Sequence, residues 1–413
     1  MSDIYIAGIG MTVFGRHAER SLEDMAREAL NGALHDAGCG VGDIGAAFYA
    51  GVTNGPLQGQ LSIPGQVVLG KSGITGIPIF NVENACASGS TALHLAVQYL
   101  KAGACDIALA LGAEKMNIAD KPRALALFEA GWDVSRAQQN YDQLMRMGEG
   151  ITPPPGSESD KPYSRFMAIY AALCRHHMKT HGTTQRQIAA VSAKNHLHSV
   201  HNPLSQIRKP FSIDEVLAAP PITYPLTLPM CAPLSDGAAA VVLCSASGLR
   251  RIGALPSRNV KLAASVMRSF TVRGLDQPEL NIGRLAAQQA YEQAGLGPAD
   301  MHVAEVHDAT AMGEIIQAEN LGLVPLGEGG PAAERGDFTI GGRIPINPSG
   351  GLESKGHPLG ATGLGQIHEL VTQLRGEAGA RQVQGARRAI QENGGGLHGV
   401  EEAALAIHIL TKN

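Results

Sequence analysis

The sequence predicts an α/β fold made of two duplicated halves, with a long insertion in the first half. Three observations lead there: a strand–helix–strand rhythm at the start, its return near the end, and a composition suited to close-packed layers. Of 413 residues, 44% are hydrophobic and 17% charged, yet only 4% are aromatic while 51 are glycine. Such a core is filled by Ala, Val, Leu and Ile with backbones in close approach, as in layered α/β proteins.

Ile4–Ile9 is a short apolar run ending in glycines and reads as a buried strand. Ser21 then opens a helix with Asp24 three residues on, close to a capping box; the apolar pattern runs through Leu34 and stops at Gly38 and Gly40. Ala46–Ala50 is the next strand, and Ile79–Val82 another. Residues 88 to 101 are apolar on most faces, which predicts a buried helix. A shift of 257 places Ala29, Ala33, Ala37, Gly38 and Asp43 on Ala286, Ala290, Ala294, Gly295 and Asp300. A shift of 274 places Gly89, His94, Val97 and Leu100 on Gly363, His368, Val371 and Leu374. Two matching segments in the same order imply duplication. Residues 1–116 and 234–250 form the first half, 117–233 an inserted loop domain broken by Pro and Gly, and 251–413 the second half.

Several function classes are set aside by composition. The formal charge is -4 with no block of like charges, which speaks against nucleic-acid and anionic-membrane surfaces. Six cysteines without a CxxC pair argue against a zinc module or a disulfide framework. With no signal-type start and no apolar run of about 18 residues, the expectation is a soluble, cytoplasmic protein.

Four segments carry candidate chemistry. In IFNVENACASGSTAL, Cys86 lies between a strand and a buried helix, where free N–H groups and the helix dipole favour a thiolate. In NPSGGLESKGHPLGATG, one imidazole, His357, sits among five glycines and is fixed by Pro358; the repeat offset places Cys86 on Gly360, so pseudo-twofold packing would bring His357 to the thiol as its base. In VAEVHDATAMGE, the strand Val303–Val306 ends at His307, which suits donation to a carbonyl oxygen, and at Asp308, read as a cap for the following helix. In the last loop, ENGGGLHG, free N–H groups of a Gly-rich turn suit an oxyanion hole beside His398. Two decoys are dismissed. GQVVLGKS at 65–72 fits the P-loop pattern only literally, and HLHSVH at 196–201 reads as a solvated helix face rather than a metal site.

ENACASGSTAL, VHDA, SGGLESKGHPLGATG and a closing NGGG turn, in this order, resemble the thiolase superfamily. The likeness is to its sterol-carrier-protein-type and archaeal branch with a His-Asp motif, and covers nearly the whole chain. The resemblance implies a five-layered αβαβα fold and acyl transfer through an acyl-cysteine on Cys86, with His357 as base and His307 on the thioester oxygen. It also implies an oxyanion hole from Cys86 and Gly396. No tightly bound cofactor is expected; coenzyme A and acyl-CoA are substrates, and their binding residues are not readable. Expected partners are a second copy of the chain, as homodimer or homotetramer, and a small OB-fold zinc-ribbon protein. The departure is a missing second cysteine: Ala309 follows Asp308 where this branch carries one, and the last loop has none. His398 is the titratable residue left there, and is the candidate for proton transfer. The loss also opens two alternatives, transfer to a different acceptor and a non-catalytic partner subunit.

Overall fold

The computed structural model describes residues 3–412. Nine strands form one continuous sheet: β1 (Ile4–Met11), β2 (Ala46–Ala50), β3 (Ile79–Val82), β4 (Ile107–Glu114), β5 (Gly237–Ser245), β6 (Val260–Ser269), β7 (Val303–Glu305), β8 (Arg388–Gly395) and β9 (Ala404–Thr411). Their order is β3-β2-β4-β5-β1-β6-β9-β8-β7. The join between β1 and β6 is only Tyr5 against Lys261 and Ile6 against Val260, so the sheet is two sheets meeting at a short seam.

The two sheets repeat one another. In the first, parallel β3, β2 and β4 are followed by antiparallel β5 and β1. In the second, Ile346 pairs in parallel with Ala304 of β7, β7 with β8, and antiparallel β9 and β6 follow. The repeat read at a shift of 257 is structural: Gly38 and Gly295 end their helices with φ of 68° and 65°. Asp43 and Asp300 then accept the N–H groups of Gly40 and Gly297 at 2.9 and 2.8 Å.

The helices that matter for the site are α1 (Leu22–Ala37), α2 (Ser88–Lys101), α3 (Arg165–His181), α4 (Gln185–Ser199), α5 (Ile282–Ala294), α6 (Ala311–Asn320) and α7 (Leu359–Arg375). Three apolar clusters set five layers. α1 buries Met25, Leu30 and Ala33 on the outer face of the first sheet. α2 and α7 lie between the sheets, with Leu93, Val97, Leu364 and Val371 packed against both. α5 and α6 cover the outer face of the second sheet through Ala286, Ala290, Met312 and Ile315. Burial on this scale is the main force holding the layers together. In the central layer the paired glycines of the repeat meet: a Cβ on Gly89 would stand 2.7 Å from the Gly360 carbonyl oxygen, and one on Gly363 2.7 Å from the Ser90 nitrogen. Only hydrogen at both positions lets the two helix starts cross this closely.

Expected elements and observed ones differ at the ends. β1 runs on to Met11 because Gly10 and Met11 pair with Ala240 and Ala239. β7 stops before Val306, whose N–H turns to the Asn347 side chain at 2.9 Å. The 117–233 segment carries α3 and α4, which pack Ala171, Cys174, Ile188 and Val191 into the second half's outer core. Among the described residues, no helix is long and apolar enough to cross a membrane.

Candidate active site

Cys86 stands in the turn between β3 and α2. The turn is tight: Ala85 has φ +48°, a conformation that costs a side-chain-bearing residue on the order of 1 kcal/mol or more. Ser88 holds it, its hydroxyl accepting the Asn84 N–H at 2.8 Å and donating to the Ala85 carbonyl at 2.6 Å. Gly395, at the end of β8, lies against this turn so closely that a Cβ would be 2.3 Å from the Asn84 oxygen and 2.5 Å from the Ala87 nitrogen. Part of the closing glycine run is therefore there to let strand and nucleophile turn touch backbone to backbone.

His357 precedes α7. Its N–H donates to Ser235 Oγ at 2.9 Å, and its Nδ1 lies 2.7 Å from Thr362 Oγ1. Thr362 spends its own hydroxyl proton on the Pro358 carbonyl at 3.0 Å, so Nδ1 must be the donor and Nε2 carries the lone pair. His307 follows β7, and its N–H donates to Glu392 at 2.9 Å. The two imidazoles meet edge to face, 5.1 Å between ring centres. Ligand atoms of Cys86, His307 and His357 all lie within 4.8 Å of one another. Among the described residues this is the one His/Cys/Asp/Glu set with a spacing that would also admit a metal ion.

Burial governs the charges. Desolvation pushes the Cys86 thiol up to about 12, helped by Glu114 and Glu83. Desolvation thus opposes the thiolate that the helix start was expected to favour. Desolvation lowers His307 to about 4 and takes His357 well below the usual imidazole value. The resting triad is therefore neutral: a thiol, a base with a free Nε2, and a second imidazole. His307 Nε2 is buried without a partner. Such an orphan inside a site is a group waiting for a ligand atom.

A cavity of about 1080 Å³ opens over the triad. Leu125, Phe128, Phe166, Met167 and Tyr170 from the 117–233 segment wall it, opposite Cys86, His307, Ala309 and His357. Gly396 also lines it, at φ 64°. Among the described residues, neither the Cys86 nor the Gly396 backbone N–H donates to another group. Among the lining residues that the sequence reading did not single out are Cys231, Glu353 and Glu402. Glu353 sat inside the quoted GLESKGHP motif, and an acid among glycines was the available signal.

His398 is not brought to the triad. It stands outside the cavity lining, exposed, its ring stacked 3.5 Å from that of Phe270. Asp308 caps a helix, but not the one that follows it. Its carboxylate accepts the Leu352 N–H at 2.8 Å, at the start of the short Gly351–Lys355 helix, because that turn packs directly on it. The HLHSVH face is not solvated either: His196 and His198 are buried, His198 between the Asn347 carbonyl and the Ile340 N–H. The literal P-loop pattern falls in a short helix, Pro64–Gly70, which is not a phosphate-cradling loop.

Comparison with known proteins agrees with this geometry. Residues 4–214 match the thiolase N-terminal domain, and residues 267–408 the thiolase C-terminal domain-like family. An acetyl-CoA acetyltransferase of Methanothermobacter thermautotrophicus is 37% identical over 418 residues, covering 100% of both chains. Sterol carrier protein 2 of Bos taurus is 39% identical over 404 residues, covering 94% of this chain and 69% of its own. A solved structure described as an Ltp2-ChsH2(DUF35) aldolase superposes with a TM-score of 0.75 at 21% identity, covering 99% of this chain and 97% of its own, and shares the fold.

Proposed function

The chain belongs to the thiolase family as an acyltransferase of that type, and we propose that it works through an acyl-cysteine on Cys86. The reaction is 3-oxoacyl-CoA thiolysis or, in reverse, C-acetyl transfer between two acetyl-CoA molecules. The observation that carries this reading is the meeting of Cys86, His307 and His357 within 4.8 Å under one cavity.

The neutral triad assigns the steps. His357 Nε2 takes the thiol proton as Cys86 attacks the carbonyl, so charge forms only in the transition state. The unused N–H groups of Cys86 and Gly396 receive the oxyanion. His307, neutral and unpartnered at Nε2, donates to the thioester oxygen of the second substrate, where enolate charge gathers. A cavity of about 1080 Å³ with aromatic and aliphatic walls favours acyl groups bulkier than acetyl. Coenzyme A and acyl-CoA enter as substrates, and the active unit is a dimer or tetramer of this chain.

A second reading keeps the acyl-cysteine and changes the acceptor. It is favoured by Ala309, which lines the cavity with a methyl group where proton transfer is needed. Intact-protein mass spectrometry after incubation with a panel of acyl-CoAs tests both. The expected result is a single acyl adduct, absent in Cys86→Ala, with cleavage of a 3-oxoacyl-CoA. An adduct without any carbon–carbon cleavage would favour the second reading. No adduct from any acyl-CoA would refute both.

A further inference from the structure

The wall of the cavity holds a buried acid that the triad does not use. Glu353 is 1% exposed, and one of its carboxyl oxygens, Oε2, has no partner. The other, Oε1, accepts from Asn195 Nδ2 at 3.1 Å. That same amide nitrogen lies 3.1 Å from Asp308 and 3.1 Å from Glu314. Three buried carboxyls thus share one amide, and the one cation at hand, Lys194, is bound to Glu314 at 2.6 Å. Three negative charges cannot stand so close in a dry interior, so protons are held among them. Glu353 is the member that lines the cavity. Ser192 stands beside Glu353 and gives its hydroxyl proton to the Pro229 carbonyl at 2.8 Å.

Resting on the acyl-cysteine reading above, we propose that Glu353 is the acid/base at the carbon whose bond is broken or made, the role for which position 309 offers no thiol. In cleavage, the C2–C3 bond of the Cys86 adduct breaks and its electron pair passes to C2 and the thioester oxygen held by His307. Protonated Glu353 then gives its proton to C2. In the second half-reaction the CoA thiol attacks acyl-Cys86, its proton returns to Glu353, and His357 returns the first proton to the Cys86 sulfur. Protons and electrons balance with no further reactant. Burial and the neighbouring Glu314 hold Glu353 at about 8, where both forms are present near neutrality.

The groups facing Glu353 are Lys194 on α4, Glu314 on α6, Asp308, and Cys231 across the cavity wall, with His196 of α4 lining the same cavity. Cys231 is the rival, because it lines the same cavity and its backbone pairs with Thr310, next to Ala309. The test is deuterium uptake at C2 of acetyl-CoA in D2O, read by mass spectrometry beside acyl-Cys86 formation. Glu353→Gln, which keeps the shape and the Asn195 bond, should lower C2 exchange roughly 10²–10⁴-fold, while acyl-Cys86 forms within a few-fold of wild type from p-nitrophenyl acetate, whose phenolate leaves without a proton. Glu353→Asp should restore part of the exchange, and Cys231→Ala should leave it intact. The exchange rate of wild type should rise with pH through the ionisation of Glu353, and Glu353→Gln should lose that rise. Exchange at the wild-type rate in Glu353→Gln, or its loss in Cys231→Ala alone, would overturn the proposal. A wild-type protein that acylates Cys86 without exchanging C2 protons would overturn it too, and leave the acyl-cysteine standing. Failure of Cys86 to acylate at all would sink the underlying reading as well.

Discussion

Cys86 should be a poor nucleophile toward small alkylating reagents and a good one toward its own substrate. At pH 7 a thiol titrating at about 12 is ionised to about 10⁻⁵, against about 3% for an ordinary thiol near 8.5. Iodoacetamide, which the cavity does not align for attack assisted by His357, should therefore modify Cys86 at pH 7 roughly 10³-fold more slowly than it modifies a free thiol. The rate should rise about tenfold per pH unit, without a plateau below pH 10. Acyl-CoA held in the cavity presents its carbonyl to Cys86, whose proton passes to the free Nε2 of His357 during attack, so acylation at pH 7 should be rapid and should fall roughly 10²–10⁴-fold in His357→Ala. The assay is a stopped time course at each pH, with peptide-level mass spectrometry reporting modification at residue 86 alone. A plateau with an apparent pKa between 5 and 8, at a rate above that of a free thiol, would refute the reasoning. It would show a resting thiolate–imidazolium pair, and then the dipole at the start of α2 would outweigh burial.

Four further outcomes follow from the same geometry. Thr362→Val leaves the buried Nδ1–H of His357 without an acceptor, at a cost of about 1–3 kcal/mol, so single-turnover acylation should slow by roughly ten- to a hundredfold with Cys86 still titratable after denaturation. Gly363→Ala places a methyl 2.1 Å from Ser90 Oγ and 2.7 Å from its backbone nitrogen, and should lower stability by about 1–3 kcal/mol in denaturant unfolding. Glu353 has its folded pKa raised from 4.5 to about 8, so its neutral form contributes stability below pH 4.5 that is lost as pH rises through 8. Glu353→Gln should therefore flatten the fall of unfolding midpoint between about pH 5 and 8. His398→Ala should leave both acylation and C2 exchange unchanged, because the ring lies on Phe270 outside the cavity; a loss of exchange would restore His398 as the proton carrier.

Periodicity and local chemistry made the frame legible. α2 and β3 fall at the residues expected, because a buried helix with apolar residues on most faces and a short strand before it leave little choice. The duplication was readable because it rests on capping: Gly38 and Gly295 in left-handed conformation, Asp43 and Asp300 on the next turn. What escaped was set by packing between distant segments. Nothing local says that His196 and His198 point inward, since their partners come from residues 229, 340, 347 and 354. Asp308 was read against the next helix in sequence, but the turn that presses on it arrives 44 residues later. The desolvation that opposes a Cys86 thiolate was out of view for the same reason. A helix start is a local feature, whereas burial beneath the 117–233 segment is not.

The duplication also explains why the site lies where it does and why it is unequal. An approximate twofold axis brings the starts of α2 and α7 together in the central layer, and Gly89 and Gly363 set how near they come. Equivalent turns on the two helices then face one cavity. Position 86 carries a thiol, while its equivalent, Gly360, gives its N–H to buried Glu114 at 3.0 Å and has no room for a side chain beside the Ala50 carbonyl. The second half instead supplies its chemistry from the residues just before α7, His357 and Glu353, and from the end of β7, His307. One half offers the nucleophile, and the other offers the groups that move protons and hold charge. Neither half holds the whole site, so loosening the contact between α2 and α7 should impair acylation before it unfolds either sheet. Gly363→Ala tests this directly: its loss of acylation rate should exceed what its fraction unfolded accounts for. A variant that loses stability but acylates at the wild-type rate per folded molecule would show that the helix contact holds the fold without setting the distance from Cys86 to His357.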